Sequence, residues 1–201
     1  MTCGPVLDAT QSLFPGEGAQ IVRAVEKRRR EFSTGRLYAR SALAKLGYPP
    51  VALVSHESRR PCWPEGAIGS ITHADDFCAV MVASRSKVMA LGLDIERIKD
   101  VSDSLLPQLS EPDEQEDLLR HLDPDLLPAL TFSAREAIFK AYNPVTEYPL
   151  SFKDVRLSVE GGSFAATMVR PDIPSLFGHK RIHGQFACVE GLVISVVAFK
   201  S

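Results

Sequence analysis

The 201-residue sequence has no cysteine pair at metal-ligand spacing, no long apolar run and no large excess of either charge. Its four cysteines, Cys3, Cys62, Cys78 and Cys188, are scattered without a Cys-x-x-Cys pair. Two of them sit in apolar runs, a usage that suits reduced, packed thiols better than disulfides or zinc. The longest strongly apolar run, Gly191 to Phe199, is far too short to span a bilayer. Met1 to Phe14 lacks the basic start and apolar core of a signal peptide. A formal net charge of −2 gives no whole-chain signal for nucleic acid or a membrane surface. There is no low-complexity tract and no internal repeat. These absences leave a cytoplasmic globular protein, and 45% apolar residues over this length can bury a core in one domain or two small lobes.

What is present reads as α+β. Ile21, Val22, Val25, Phe32, Leu37, Leu43 and Leu46 recur at roughly helical spacing from about Ala19 to Leu46, and Gly47 with Pro49-Pro50 ends the run. Gly35 implies two helices there, or one with a close backbone contact. Val51 to Val54 reads as a short strand and Ser55 to Gly66 as a loop. Ala67–Thr72, Cys78–Ser84 and Val88–Ile95 read as three strands, the first two joined by a turn at Ala74-Asp75-Asp76. A proline-punctuated acidic segment follows, with a helix from Pro112 to Leu122. Leu130 to Tyr142 is a helix ended by Asn143-Pro144. Phe152–Val159, Ser163–Val169, His183–Val189 and Val193–Phe199 alternate as four antiparallel strands. Two lobes, residues 1–96 and 97–201, are the natural organisation.

Two stretches carry candidate chemistry. In Gly92-Leu93-Asp94-Ile95-Glu96 the acids are two apart in a strand, so both side chains share a face. In Phe132 to Ala141 the acid Glu136 and Lys140 are four apart on a helix and share its face. Three carboxylates and a lysine brought together would hold a hard cation, and the cation would hold a phosphate. Singly, each has a plainer reading: a half-exposed strand end, a surface ion pair, a hydrogen-bonding His73, and a solvated basic face at Lys27-Arg28-Arg29-Arg30. Their joint occurrence in a fixed order is what argues for a site.

That order resembles the 4′-phosphopantetheinyl transferases, and within them the group typified by enterobactin synthase component D. The resemblance lies in Glu31-Phe32-Ser33-Thr34-Gly35-Arg36 with Ala42-Leu43 and Leu46-Gly47, Arg59-Arg60-Pro61-Cys62-Trp63-Pro64, Gly69-Ser70-Ile71-Thr72-His73, Gly92 to Glu96, and Phe132 to Tyr142. The signature helix usually has Lys before its glutamate and often Trp before its serine; here they are Arg135 and Phe132. The resemblance implies two similar α/β lobes related by a pseudo-twofold axis, with coenzyme A in the cleft between them. It also implies a monomer.

It further implies roles. Asp94, Glu96 and Glu136 would coordinate Mg²⁺ (or Mn²⁺) at the coenzyme A diphosphate. Arg28, Arg36, Arg59 or Arg60, and Thr72 with His73 match positions that hold the 3′-phosphate and nearby nucleotide, where the arginine fork suits phosphate. Arg135 is placed with these cofactor-binding residues, and Lys140 against the diphosphate. The implied reaction loads a serine of an acyl, peptidyl or aryl carrier protein, of siderophore, polyketide, nonribosomal peptide or fatty acid synthesis, and leaves 3′,5′-ADP. Serine needs a base, and Glu136 is the candidate, directly or through metal-bound water. The rival readings are a coenzyme A-binding scaffold that has lost transfer, and a metal-dependent phosphohydrolase using the same acids on water.

Overall fold

In the computed structural model, which describes residues 1–56 and 59–200, the chain divides into two compact units, residues 1–89 and 90–200. The divide falls within the strand that carries Asp94 and Glu96, ahead of both acids, so they lie in the second unit and not in a first lobe of residues 1–96.

In the first unit, strand β1 (Thr2–Pro5) leads into a short helix α1 (Pro15–Ala19) and a long helix α2 (Glu26–Ala44). Strands β2 (Ala67–Ala74) and β3 (Phe77–Ser84) follow. They form an antiparallel sheet in the order β1-β3-β2, with Ala74 opposite Phe77 at the hairpin and Gly4 opposite Cys78. Helix α2 runs unbroken through Gly35, where a Cβ would stand 3.0 Å from the Ile71 side chain. The glycine thus marks close packing of helix on sheet. Ala39, Ala42, Leu43, Leu53, Ala67 and Val80 form the buried core.

The expected strand at Val51–Val54 is absent, and two distant side chains explain it. The Leu53 amide donates to buried Glu17 at 2.7 Å, and the Leu53 carbonyl accepts from Arg36 Nε at 2.5 Å. Backbone groups satisfied this way have no ladder left to make. Glu17 also accepts the Phe14 amide and a two-pronged contact from Arg40 at 2.8 and 2.9 Å. Ser55 and Pro61 close the following loop with a bridge; its positions 57 and 58 lie outside the described residues.

The second unit takes most of strand β4 (Val88–Arg97), then α3 (Leu106–Leu109), α4 (Pro112–Leu119), the long helix α5 (Leu127–Thr146), and strands β5 (Val155–Glu160), β6 (Ser163–Met168), β7 (Arg181–Val189) and β8 (Leu192–Lys200). The sheet order is β4-β8-β7-β6-β5. The last four strands form an antiparallel meander, as the alternation implied. Its last hairpin turns on Glu190 and Gly191, both at positive φ as a two-residue turn of this kind requires. Helix α5 packs on the sheet through Ala134, Ala137, Ile138 and Ala141, in a core with Leu157, Phe164, Ile182, Val193 and Val197. It continues past Asn143-Pro144 to Thr146, because the Glu147 amide returns to the Asn143 carbonyl and Thr146 Oγ1 to that of Tyr142. Among the described residues no helix is long and apolar enough to cross a membrane.

Candidate active site

The acidic cluster is built by a close approach of β4 to α5. Gly92, Asp94 and Glu96 alternate onto one face of the strand. At Gly92 a Cβ would stand 1.8 Å from the Ala137 carbonyl oxygen and 2.9 Å from the Ala141 amide, so no other residue fits without separating the two elements. That proximity brings Asp94 Oδ1 to 2.6 Å from Lys140 Nζ. Asp94 is 2% exposed, while the lysine side chain keeps 26% of its surface. Glu136, one turn before Lys140, faces the same cluster.

The electrostatics tie the four groups together. The Glu96 carboxyl is pushed up to about 7, first by burial and then by Asp94, with Lys140 opposing and Glu136 and Asp100 adding to the rise. Glu136 is also raised, by burial first, with Lys140 opposing and Asp94 adding. Beside Glu136 lies a groove of about 490 Å³ lined by Gln108, Phe139, Leu150, Ser151, Phe152 and Lys153. Phe139 could have been found from sequence, since it stands three residues after Glu136 and shares its helical face; the lining from α3 and from residues 150–153 could not.

Among the described residues no three His, Cys, Asp or Glu side chains stand ready to hold a metal ion as placed. The cation at Asp94 is the lysine. The donor chemistry nevertheless fits a hard dication. Three carboxylates burden one another with like charge, and oxygen ligands are what Mg²⁺ takes.

The basic residues fall into three separate settings. In the first unit, Arg28 Nη1 lies 3.4 Å from His73 Nε2, both groups partly exposed. Glu31 Oε2 stands 3.6 Å from His73 Nε2 and 3.9 Å from Arg28 Nη1. Glu31 is part of the motif at the head of α2, but spacing alone gives it no role. Thr72 alternates to the opposite face of β2 from His73 and is buried. Arg36, at 4% exposure, is consumed internally: besides Leu53 it reaches Ser55 Oγ at 2.8 Å, and its guanidinium covers the Phe32 ring at 4.2 Å. Burial brings its pKa down to about 10, against the pull of Glu17. Arg59, exposed and at positive φ, and Arg60, half-buried, lie on the loop closed by Ser55 and Pro61.

Arg135 is a correction. Although next to Glu136 in sequence, it is 2% exposed and points into the core. Its Nη2 meets Glu114 Oε1 at 2.6 Å, and it also donates to the carbonyls of Phe152, Val155 and Thr131. Burial lowers its pKa and Glu114 raises it. Adjacent helical residues point about 100° apart, so a site on the Glu136 face excludes Arg135.

A family model described as the 4′-phosphopantetheinyl transferase superfamily matches residues 90–197, and one described as the 4′-phosphopantetheinyl transferase N-terminal domain matches residues 16–83. The two matches fall within the two structural units. The chain is 38% identical over 199 residues to a 4′-phosphopantetheinyl transferase of Streptomyces mobaraensis, covering 95% of this chain and 80% of that protein. It is 33% identical over 192 residues to one of Mycobacterium tuberculosis, covering 92% and 85%. Similarity to enterobactin synthase component D of Salmonella typhimurium is lower, 28% over 178 residues, covering 87% and 74%. Two family models over most of the length, and relatives of this identity and coverage, leave one conclusion: the chain belongs to the 4′-phosphopantetheinyl transferase superfamily.

Proposed function

We propose that this transferase moves 4′-phosphopantetheine from coenzyme A to a serine hydroxyl of an acyl, peptidyl or aryl carrier protein, with Mg²⁺ as its metal and 3′,5′-ADP as the second product. The observation that carries this reading is the Asp94–Lys140 pair set among two further carboxylates of raised pKa. Such a group is poor at supporting a fold and well suited to phosphoryl chemistry, which needs charge and positioning more than covalent help.

In the proposed step the serine oxygen forms a bond to the phosphorus that bears pantetheine. The bond from that phosphorus to the leaving oxygen breaks, and its electron pair departs with 3′,5′-ADP. The serine proton goes to Glu136, the general base of the proposed step. Lys140, tethered at Asp94 by a flexible stem, offers its ammonium to the departing diphosphate. Asp94, Glu96 and Glu136 would hold Mg²⁺, which when bound supplies positive charge to the diphosphate. The groove floored by Phe139, Leu150 and Phe152 suits the pantetheine arm, which is apolar along much of its length and ends beside Glu136. In the first unit, Arg28 and His73 are assigned to the 3′-phosphate and Arg59 and Arg60 to the nucleotide. Arg36 is assigned to holding the loop at Leu53 and Ser55.

The test is mass spectrometry of acyl, peptidyl and aryl apo-carrier proteins incubated with the enzyme, coenzyme A and Mg²⁺. The expected result is one phosphopantetheine per carrier with an equal amount of 3′,5′-ADP, and none in excess chelator. Phosphate release without acceptor, or no mass gain on any carrier class, would sink the reading.

A further inference from the structure

We infer that Glu31 is a positioning residue that holds Arg28 and His73 together as one phosphate-binding pair. The inference rests on the assignment of those two residues to the 3′-phosphate of coenzyme A. Arg28 and Glu31 are three apart on α2 and share a helical face, and His73 reaches the same point from the end of β2. Bringing a guanidinium and a histidine to 3.4 Å costs Coulomb energy whenever the ring is protonated. Glu31, at 8% exposure, puts a carboxylate oxygen 3.6 Å from the ring nitrogen and 3.9 Å from the guanidinium nitrogen. It thus offsets that repulsion from the buried side of the pair.

The distances matter in the other direction too. Both exceed hydrogen-bond length, so Glu31 offsets the charges without itself taking an N–H donor from either group. His73 lies opposite Cys78 in the β2–β3 register, and the buried Cys78 thiol is pushed up to about 12, by burial first and by Glu31 next, which puts the carboxylate near that strand pair. A second, exposed charge contact, Lys27 to Asp75 at 3.5 Å, joins the same turn of α2 to the β2–β3 turn.

The experiment is steady-state kinetics with coenzyme A and with 3′-dephospho-coenzyme A, on wild type, Glu31→Gln, Glu31→Ala, Arg28→Ala, His73→Ala and Glu31→Gln added to the Arg28→Ala/His73→Ala background. Glu31→Gln keeps size and loses charge. Its KM for coenzyme A should rise about tenfold with kcat within about twofold, the pattern of lost uniform binding. Its KM for the dephospho compound should stay put, so the preference for coenzyme A falls by the same factor. In the double-alanine background the Gln change should add nothing. A glutamine variant with unaltered preference overturns the inference. So does an equal rise in both KM values with a lowered melting temperature, which marks a merely structural residue; this holds even where Glu31→Ala fails to fold. If Arg28→Ala and His73→Ala themselves leave the preference unchanged, it is the phosphate assignment that fails, and that outcome is separate.

Discussion

Helix α5 carries two ion pairs of the same length in opposite settings. Arg135–Glu114 and Lys140–Asp94 both measure 2.6 Å. The first is enclosed, with side-chain exposures of 1% and 5%, and its spare capacity is used up by backbone: three carbonyls accept from Arg135, and Glu114 accepts the Leu157 amide at 2.7 Å. The second has one member reaching solvent and two further carboxylates crowding it. Distance therefore does not distinguish the two pairs. Surroundings do: backbone donors and acceptors enclose the Arg135 pair, whereas further carboxylates crowd the Lys140 pair.

Removing Asp94 makes the sharpest break in that comparison. Asp94→Ala should cut transfer by about 10³-fold, the upper end of the range seen when charge stabilisation of a transition state is lost. Its melting temperature should stay within a few degrees of wild type, because Glu96 and Glu136 are relieved of a like charge. A folded Asp94→Ala enzyme with near-normal transfer at saturating Mg²⁺ would remove Asp94 from the site.

The enclosed pair should answer the other way. Arg135→Met leaves Glu114 buried without its cation and should cost about 3–5 kcal/mol of stability, read by denaturant unfolding. Adding Glu114→Leu should recover much of that loss, since an apolar pair of similar volume replaces a desolvated one. Transfer per folded molecule should change little in either variant when assayed well below the transition. A large rate defect in stably folded Arg135→Met would restore Arg135 to the cofactor.

Glu136→Gln is the next smaller effect. Shape is kept while charge and basicity go, so transfer should fall by roughly 10²-fold, the usual scale for a lost general base. Raising Mg²⁺ should not restore it. Were Glu136 just the surface partner that its spacing from Lys140 also allows, the rate would hold and stability would drop by at most about 0.5 kcal/mol.

Much of this second unit was legible from local periodicity. Two-residue spacing placed Asp94 and Glu96 on one face, four-residue spacing placed Glu136 with Lys140, and alternation gave β5 to β8. What was not legible depended on partners far away in sequence. Val51–Val54 has strand composition, yet Glu17 and Arg36 take the Leu53 backbone bonds. Strand β4 follows the β2–β3 hairpin closely enough to read as its third strand, but its sheet neighbour is β8, about a hundred residues on. Strand β1 is too short and too little patterned to stand out before β3 pairs with it. Arg135 takes a different setting from Glu136, buried against Glu114, as the roughly 100° helical step between adjacent residues allows. The Lys140–Asp94 contact, spanning 46 residues, lies beyond any local pattern.

The smallest expected effect sharpens the comparison most finely, because it reads the crowding of carboxylates directly. Glu96 is raised from an ordinary 4.5 to about 7, by burial first and then by Asp94, with Lys140 opposing. Between those values the folded chain binds more protons at this position than the unfolded chain does. The contribution of Glu96 to stability is therefore fully present below about 4.5 and is lost as pH rises through about 7. Glu96→Gln cannot lose a proton. In chelator, its melting temperature should match wild type near the low end, exceed it increasingly across the window, and hold a constant lead above it. Groups remote from the cluster contribute equally to both proteins and cancel in the difference, while Asp94 and Glu136, which are coupled to Glu96, do not. Mg²⁺ should narrow the lead at high pH by giving the wild-type carboxylates a counter-charge that glutamine uses less well. A lead that does not vary with pH would mean that Glu96 titrates as an ordinary carboxylate. A lead that varies with pH but ignores Mg²⁺ would keep the crowding of charge and remove the metal from it.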